Sequence, residues 1–206
     1  IDGYVYPGRP PVLPPVKGGK AEVEATYKMF QTWHWARGEL DARLLIGFMG
    51  TGILGAALDW RPMTFITGDA GYGKSELMNR MKAMLPGRMV ATVDASPAAL
   101  RQMVNQDSVM VLFDEIEADA LTDQAQQVMK LARVAASGGS VYRGGKDHNS
   151  AEFTLRGCFG FSAIVPPSMR NQDMQRLAFL RLVKRPTGKL EALTPARRWI
   201  KNQPDG

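Results

Sequence analysis

At 206 residues, 45% of them apolar and 22% charged, the chain is sized for one full domain with a packed core and short appendages at its ends. Its one cysteine, Cys158, excludes an internal disulfide framework and a cysteine-rich metal site, and is expected to be a small buried residue on a strand. The net charge of +6 invites a nucleic-acid reading. From Arg181 onward, however, seven basic residues stand against two acidic ones, so the excess is expected in a solvated tail and decides nothing alone.

The chain opens on Ile1, as expected of a fragment or processed product, which leaves room for an upstream domain. It carries no signal-peptide pattern. The longest uncharged apolar stretch, Leu44 to Leu58, is interrupted by Gly47, Gly50, Gly52 and Gly55 and reads as too short to cross a bilayer comfortably. A cytoplasmic protein without membrane contact is expected.

Residues 1–20, with Pro10, Pro11, Pro14 and Pro15 among several glycines, have the composition of an extended arm. Residues 21–60 read as a helical lead-in, broken near Gly38 and again by the glycine series. Within it, Trp33 and Trp35 are expected on different helix faces, one in the core and one at an interface, with His34 between them a packed or capping side chain. Trp60-Arg61-Pro62 closes the lead-in and delivers the chain into a core spanning 61–185.

Met63–Thr67 reads as a buried strand, Lys74–Leu85 as a helix closed by Pro86-Gly87, and Met89–Val93 as a second strand. Ser96-Pro97 supplies an N-cap and a first-turn proline for a helix through Val104. Val109–Phe113 is five apolar residues in a row, as a strand buried on both faces requires. Thr122–Ser137 follows as a helix, then a hairpin of Val141–Arg143 and Glu152–Leu155, then strands Phe159–Val165 and Leu177–Val183. Residues 186–206 form the basic tail. Strands alternating with helices specify an α/β fold of P-loop NTPase type: a mostly parallel sheet flanked by helices, with a helical lead-in and an inserted β-hairpin.

Gly68-Asp69-Ala70-Gly71-Tyr72-Gly73-Lys74-Ser75 matches the phosphate-loop pattern in full, between a strand and a helix where the mechanism needs it. The four fixed positions match by accident in roughly one chain in a hundred of this length. Glycines let successive N–H groups curl inward, and the helix start adds its positive end. Gly68 through Ser75, with Glu76 next to them, are the candidate ATP contacts. Lys74 is expected on the β- and γ-phosphates and the Ser75 hydroxyl on Mg2+.

Val109–Phe113 ends in Asp114-Glu115. In an open α/β sheet ligands lie beyond the carboxyl ends of the strands, which assigns Asp114 to the magnesium and Glu115 to the attacking water as base. Glu117 and Asp119 are expected to be solvated. The paired carboxylates argue for hydrolysis rather than a GTPase switch, and no N-K-x-D guanine-reading sequence is present. Ser137-Gly138-Gly139-Ser140 falls after the acidic strand, which discounts it as a transporter-ATPase signature.

The order of these parts resembles the superfamily 3 helicases within the AAA+ ATPases. Leu58-Asp59-Trp60-Arg61-Pro62, Ala98-Ala99-Leu100-Arg101-Gln102 and Phe161-Ser162-Ala163-Ile164 are similar to segments of phage-type primase–helicase proteins, over residues 40–185. The resemblance implies a DNA-gripping hairpin, here Val141–Leu155 with Arg143, Lys146 and His148 near its tip. It implies a γ-phosphate sensor on the strand Phe159–Val165, where the family has Asn and this chain offers Ser162. It also implies an arginine finger reaching a neighbour's ATP: Arg170 or, fitting the pattern better, Arg176. The competing reading of Arg176 is an i, i+3 pair with Asp173.

Together these features predict an ATP-hydrolysing DNA helicase motor of phage or mobile-element replication. It would act as a hexameric ring on single-stranded DNA, with a primase or origin-binding domain expected upstream. The rivals are a protein-remodelling or loader ATPase and a nucleotide-dependent scaffold ring.

Overall fold

The structure, a computed structural model, describes residues 18–104, 107–114, 116, 123–144, 150–167 and 169–185. Its centre is a five-stranded, wholly parallel sheet of β1 (Met63–Thr67), β2 (Met89–Thr92), β3 (Met110–Phe113), β6 (Phe159–Ala163) and β7 (Leu177–Arg181), in the order β2-β3-β6-β1-β7. Hairpin strands β4 (Ser140–Gly144) and β5 (Ser150–Thr154) pair antiparallel, Ser140 opposite Thr154 and Gly144 opposite Ser150, outside that sheet.

All five residues of β1 and β6 and all four of β3 are buried, which is why these segments read as unbroken apolar runs rather than alternating ones. Alternate residues face two separate cores. Phe65, Val111, Phe159 and Phe161 meet α4 (Pro97–Val104) and α5 (Asp123–Ala136) through Leu100, Val104, Val128 and Leu131. Ile66, Met110 and Leu112 face α1 (Lys20–Gln31), α2 (Glu39–Leu54) and α3 (Lys74–Met84) through Phe30, Leu45, Phe48, Leu77 and Met81. The result is three layers, helices on both faces of the sheet. The lead-in helices lie on the same face as the helix after the phosphate loop, so they belong to the core rather than preceding it.

Three expectations need correction. The glycine series does not break α2, which runs through Gly47, Gly50 and Gly52 to Leu54. Gly52 is buried, and a Cβ there would lie 2.1 Å from the Met110 Cε, so its smallness admits the sheet. The helical stretch Glu39–Ala57 is also long and apolar enough, by length and composition alone, to cross a membrane, whereas the sequence suggested it was too short; one of its faces, Ala42, Leu45, Phe48 and Met49, is buried against β-strands of this fold. The two tryptophans do not divide between core and interface. Both follow the end of α1 and are buried, Trp33 to 2% and Trp35 to 6% exposure, and Trp35 forms an antiparallel bridge with Leu182 beyond β7. Cys158 is buried as expected but lies one residue before β6, and burial raises its thiol pKa against smaller opposing effects of Thr51 and Arg61.

Arg61, between Trp60 and Pro62, is a structural tie. Only 4% exposed, its Nε donates to the carbonyls of Gly55 (2.7 Å) and Arg156 (3.0 Å) and its Nη1 to that of Ala135 (3.2 Å). Its backbone N–H donates to Ala136 at 2.8 Å. The charge is thus met by carbonyls at the end of α5, at the end of the lead-in and before β6, where a cation at a helix C-terminus also meets the negative end of the helix. Replacing Arg61 with Met keeps most of the volume and takes the charged donor from each of these oxygens, leaving them the Leu58 N–H at 3.3 Å, the Gly138 N–H at 3.1 Å and the Ser108 hydroxyl at 3.4 Å. The expected loss is about 3 kcal/mol of unfolding free energy, measured by urea titration; a loss below about 1 kcal/mol would show the tie to be dispensable.

Candidate nucleotide-binding site

The phosphate loop leaves the carboxyl end of β1 at Gly68 and enters α3 at Lys74. Gly73 has φ +90°, a left-handed conformation that suits glycine, and caps α3 without a side-chain hydrogen bond. The helix start thus carries no capping side chain at its N-cap, which suits an anion site. Lys74 Nζ donates to the carbonyls of Gly68 and, at 3.2 Å, Asp69. Phosphate oxygens carry full negative charge and are stronger acceptors than these carbonyls, so the ammonium is placed to exchange one for the other. Tyr72 hydrogen-bonds Asp69 through its hydroxyl; that bond, aided by burial and the Asp69 charge and opposed by Arg181, raises the phenol pKa.

Asp114 lies just past the carboxyl end of β3, two strands from the loop, with β6 between them. At the usual strand spacing that separation is roughly 10 Å. Ser162 of β6 fills the gap: its Oγ donates to Asp114 Oδ1 at 2.8 Å, and its carbonyl accepts from the Ile116 N–H at 2.9 Å. The strand pairing explains the contact, because Phe113 is opposite Phe161 and the next residue on each strand is Asp114 and Ser162. Ser162 is fully buried and orients the carboxylate. Among the described residues nothing engages Oδ2. A half-buried carboxylate and the exposed Ser75 hydroxyl are the hard oxygen donors that magnesium takes, so the donor set suits the metal.

The other candidates divide. Glu115, Lys146 and His148 lie outside the described residues, as do the arm up to residue 17 and the tail from 186. Arg143 is on β4, and the hairpin itself stands where the sequence put it, between the acidic strand and β6. Arg170 is exposed and precedes the four-residue helix α6 (Asn171–Met174); Arg176 follows it, half-buried. The suggested Asp173–Arg176 side-chain pair is replaced by another, since Asp173 sits 2.9 Å from Arg133 Nε of α5. A cavity of about 540 Å³ opens along this pair, between Ile116, Met129, Lys130 and Pro167. No phosphate-loop residue lines it, so it is not the site described above.

One site residue was missed in the sequence. The Trp33 indole N–H donates to the Gly73 carbonyl at 3.0 Å, tying the lead-in to the end of the phosphate loop. The available signal was general: a buried indole needs an acceptor.

No family model matches the chain, and no curated protein does. Solved structures do. The apo structure of the NrS-1 C-terminal region (305–718) aligns over 91% of this chain with TM-score 0.54 and 16% identity, and its A form over 91% with TM-score 0.52 and 16% identity. A further A-form structure of the same region aligns over 89% with TM-score 0.55 and 14% identity. The fold is P-loop NTPase-like. This chain spans 43 to 46% of the length of those structures, and identities this low establish the fold alone, which hosts many functions.

The Ser162–Asp114 contact makes a measurable claim. If the chain turns over ATP with magnesium on Asp114, Ser162→Ala should need roughly tenfold more magnesium for half-maximal turnover, as loss of a group orienting a ligand carboxylate does. A magnesium titration at saturating ATP reads this, and an unchanged midpoint would remove Ser162 from the metal's surroundings.

Proposed function

We propose that this chain is the motor domain of an ATP-driven replication helicase of superfamily 3 type, working on single-stranded DNA as a ring, with six subunits as the expected number. The observation that carries the reading is the pairing of a complete phosphate loop with the Ser162-oriented Asp114 at the same edge of one parallel sheet. A hairpin emerges between the acidic strand and β6, which supports the nucleic-acid half of the proposal, as does the likeness in fold to the NrS-1 C-terminal region.

In this reading Lys74 and the N–H groups at the start of α3 hold the phosphates, while Ser75 and Asp114 hold magnesium. The metal, when bound, neutralises charge on the phosphate oxygens. Glu115, next to Asp114 in sequence, orients the attacking water and accepts its proton. Ser162 works through Asp114, which recasts the expected sensor as a group that aims the metal's carboxylate. Arg176 reaches the neighbouring subunit's nucleotide, so turnover depends on assembly. Arg143, Lys146 and His148 contact DNA phosphates electrostatically.

Single-stranded DNA is expected to raise ATP turnover several-fold, with the rate per subunit rising with protein concentration. Glu115→Gln should bind ATP and lose about 100-fold or more in turnover. Replacing Lys146 and His148 together with Ala should keep the basal ATPase and lose the DNA response. If that double variant keeps the response, or DNA never changes the rate, the ring moves protein or serves as a scaffold instead.

A further inference from the structure

We propose that Trp33 is a positioning residue for the phosphate loop, and that the segment after α1 and the segment after β7 form a brace gripping the loop at both ends. This rests on the nucleotide reading above.

The brace is short and doubly bonded. Trp35 bridges Leu182; the Ala36 N–H donates to the Arg181 carbonyl and the Val183 N–H to the His34 carbonyl, each at 2.8 Å. Arg37 adds a donor to the Phe179 carbonyl and an ion pair with the fully buried Asp41 of α2. Its two arms then reach the two ends of the loop. Leu182 lies against Gly68: a Cβ on Gly68 would stand 2.9 Å from the Leu182 Cβ and 3.0 Å from its carbonyl oxygen. The Leu182 N–H also donates to the Thr67 carbonyl at 2.7 Å. Trp33 lies against Gly73, where a Cβ would stand 3.1 Å from the indole nitrogen.

The Gly73 carbonyl carries the argument. It accepts from Leu77 N–H of α3 at 3.0 Å and from the Trp33 indole at 3.0 Å, so both lone pairs are used. The peptide between Gly73 and Lys74 is planar, and its N–H points opposite to its carbonyl. Fixing the carbonyl from two sides therefore fixes the Lys74 N–H toward the open, N-terminal side of α3, where a phosphate would lie. α3 supplies one restraint as any helix does; Trp33 supplies the second and comes from outside the loop. Without it the left-handed Gly73, free to adopt other conformations, spends more time in arrangements that do not bind. Apparent affinity then falls by the fraction of time lost.

The test removes one N–H and nothing else. Trp33→benzothienylalanine keeps the ring shape with sulfur in place of the donor, and isothermal titration gives the dissociation constant for ATP with magnesium. The expected result is binding three- to tenfold weaker, roughly the range that losing one neutral hydrogen bond spans, beside a small fall in the unfolding midpoint of the nucleotide-free protein. A lowered midpoint with an unchanged dissociation constant means Trp33 only packs, and overturns the proposal. Wild-type protein and Lys74→Ala run beside it. ATP binding by wild type that is lost in Lys74→Ala, together with an unaffected isostere, sinks this inference and leaves the nucleotide reading standing; no binding by wild type sinks both. If the substituted protein fails to fold, the indole N–H resonance of Trp33 in the unmodified protein decides. It should shift when ATP and magnesium are added, and a resonance that stays in place overturns the proposal.

Discussion

Four phenylalanines from neighbouring strands, Phe179, Phe65, Phe161 and Phe113, stack in a row across the sheet, each on its register partner. Their ring centroids lie 5.8 Å apart for Phe65–Phe179, 6.1 Å for Phe65–Phe161 and 6.2 Å for Phe113–Phe161. A slip of one residue in any of these strands would turn its aromatic toward the other core and its neighbours with it. Because the row pairs Phe113 with Phe161, the residues that follow them in the chain, Asp114 and Ser162, emerge side by side on the opposite face. The hydrogen bond between them is thus a consequence of aromatic registry one step earlier in the chain. The same registry brings the end of β1, and so Gly68, to the same edge of the sheet.

That edge could not be held by the strands alone, since loops at a sheet's end have few contacts of their own. Here the two cores on either side of the sheet are closed by elements far apart in sequence, and polar ties fasten them. Arg61 joins the end of the lead-in to α5 and to the segment before β6; Trp33, Leu182 and Arg37 join the lead-in to the phosphate loop and β7. Residues 20–60 consequently cannot be treated as a neighbour of the α/β core, for they supply α1 and α2 of one of its three layers.

Much of this fold was legible because its local signals agree. The two-sided burial of a parallel sheet writes itself as apolar runs, and the ends of α3 and α4 are marked by Gly73, Pro86-Gly87 and Ser96-Pro97, so the strands and helices α3 to α5 fall within about a turn of those expected. The phosphate loop and Asp114 were legible for a different reason: their chemistry requires particular residues at fixed spacing. What escaped the sequence was everything that depends on long-range pairing. Trp33 and Trp35 were assigned to a helix because nothing local announces a bridge to Leu182 nearly 150 positions away. Gly52 of α2 read as a breaker because the residue it makes room for, Met110, belongs to a distant strand. Arg61 lay in a segment singled out for its resemblance to other proteins, and its carbonyl acceptors are separated from it by up to 95 positions.

The arginines near β7 show the same dependence on distant partners. Helix α6 has four residues, too few to hold itself together by its own hydrogen bonds. Its Asp173 is 5% exposed and faces Arg133 of α5. The two side chains form a largely buried ion pair that ties α6 to α5. Since α5 follows the acidic strand and leads into the hairpin, the segment carrying Arg170 and Arg176 is bound to the element that joins those two. Had Asp173 paired with Arg176 instead, the arginine would have been held within its own turn. With Asp173 engaged by Arg133, the short turn is anchored through its acid and presents its arginine from a fixed base.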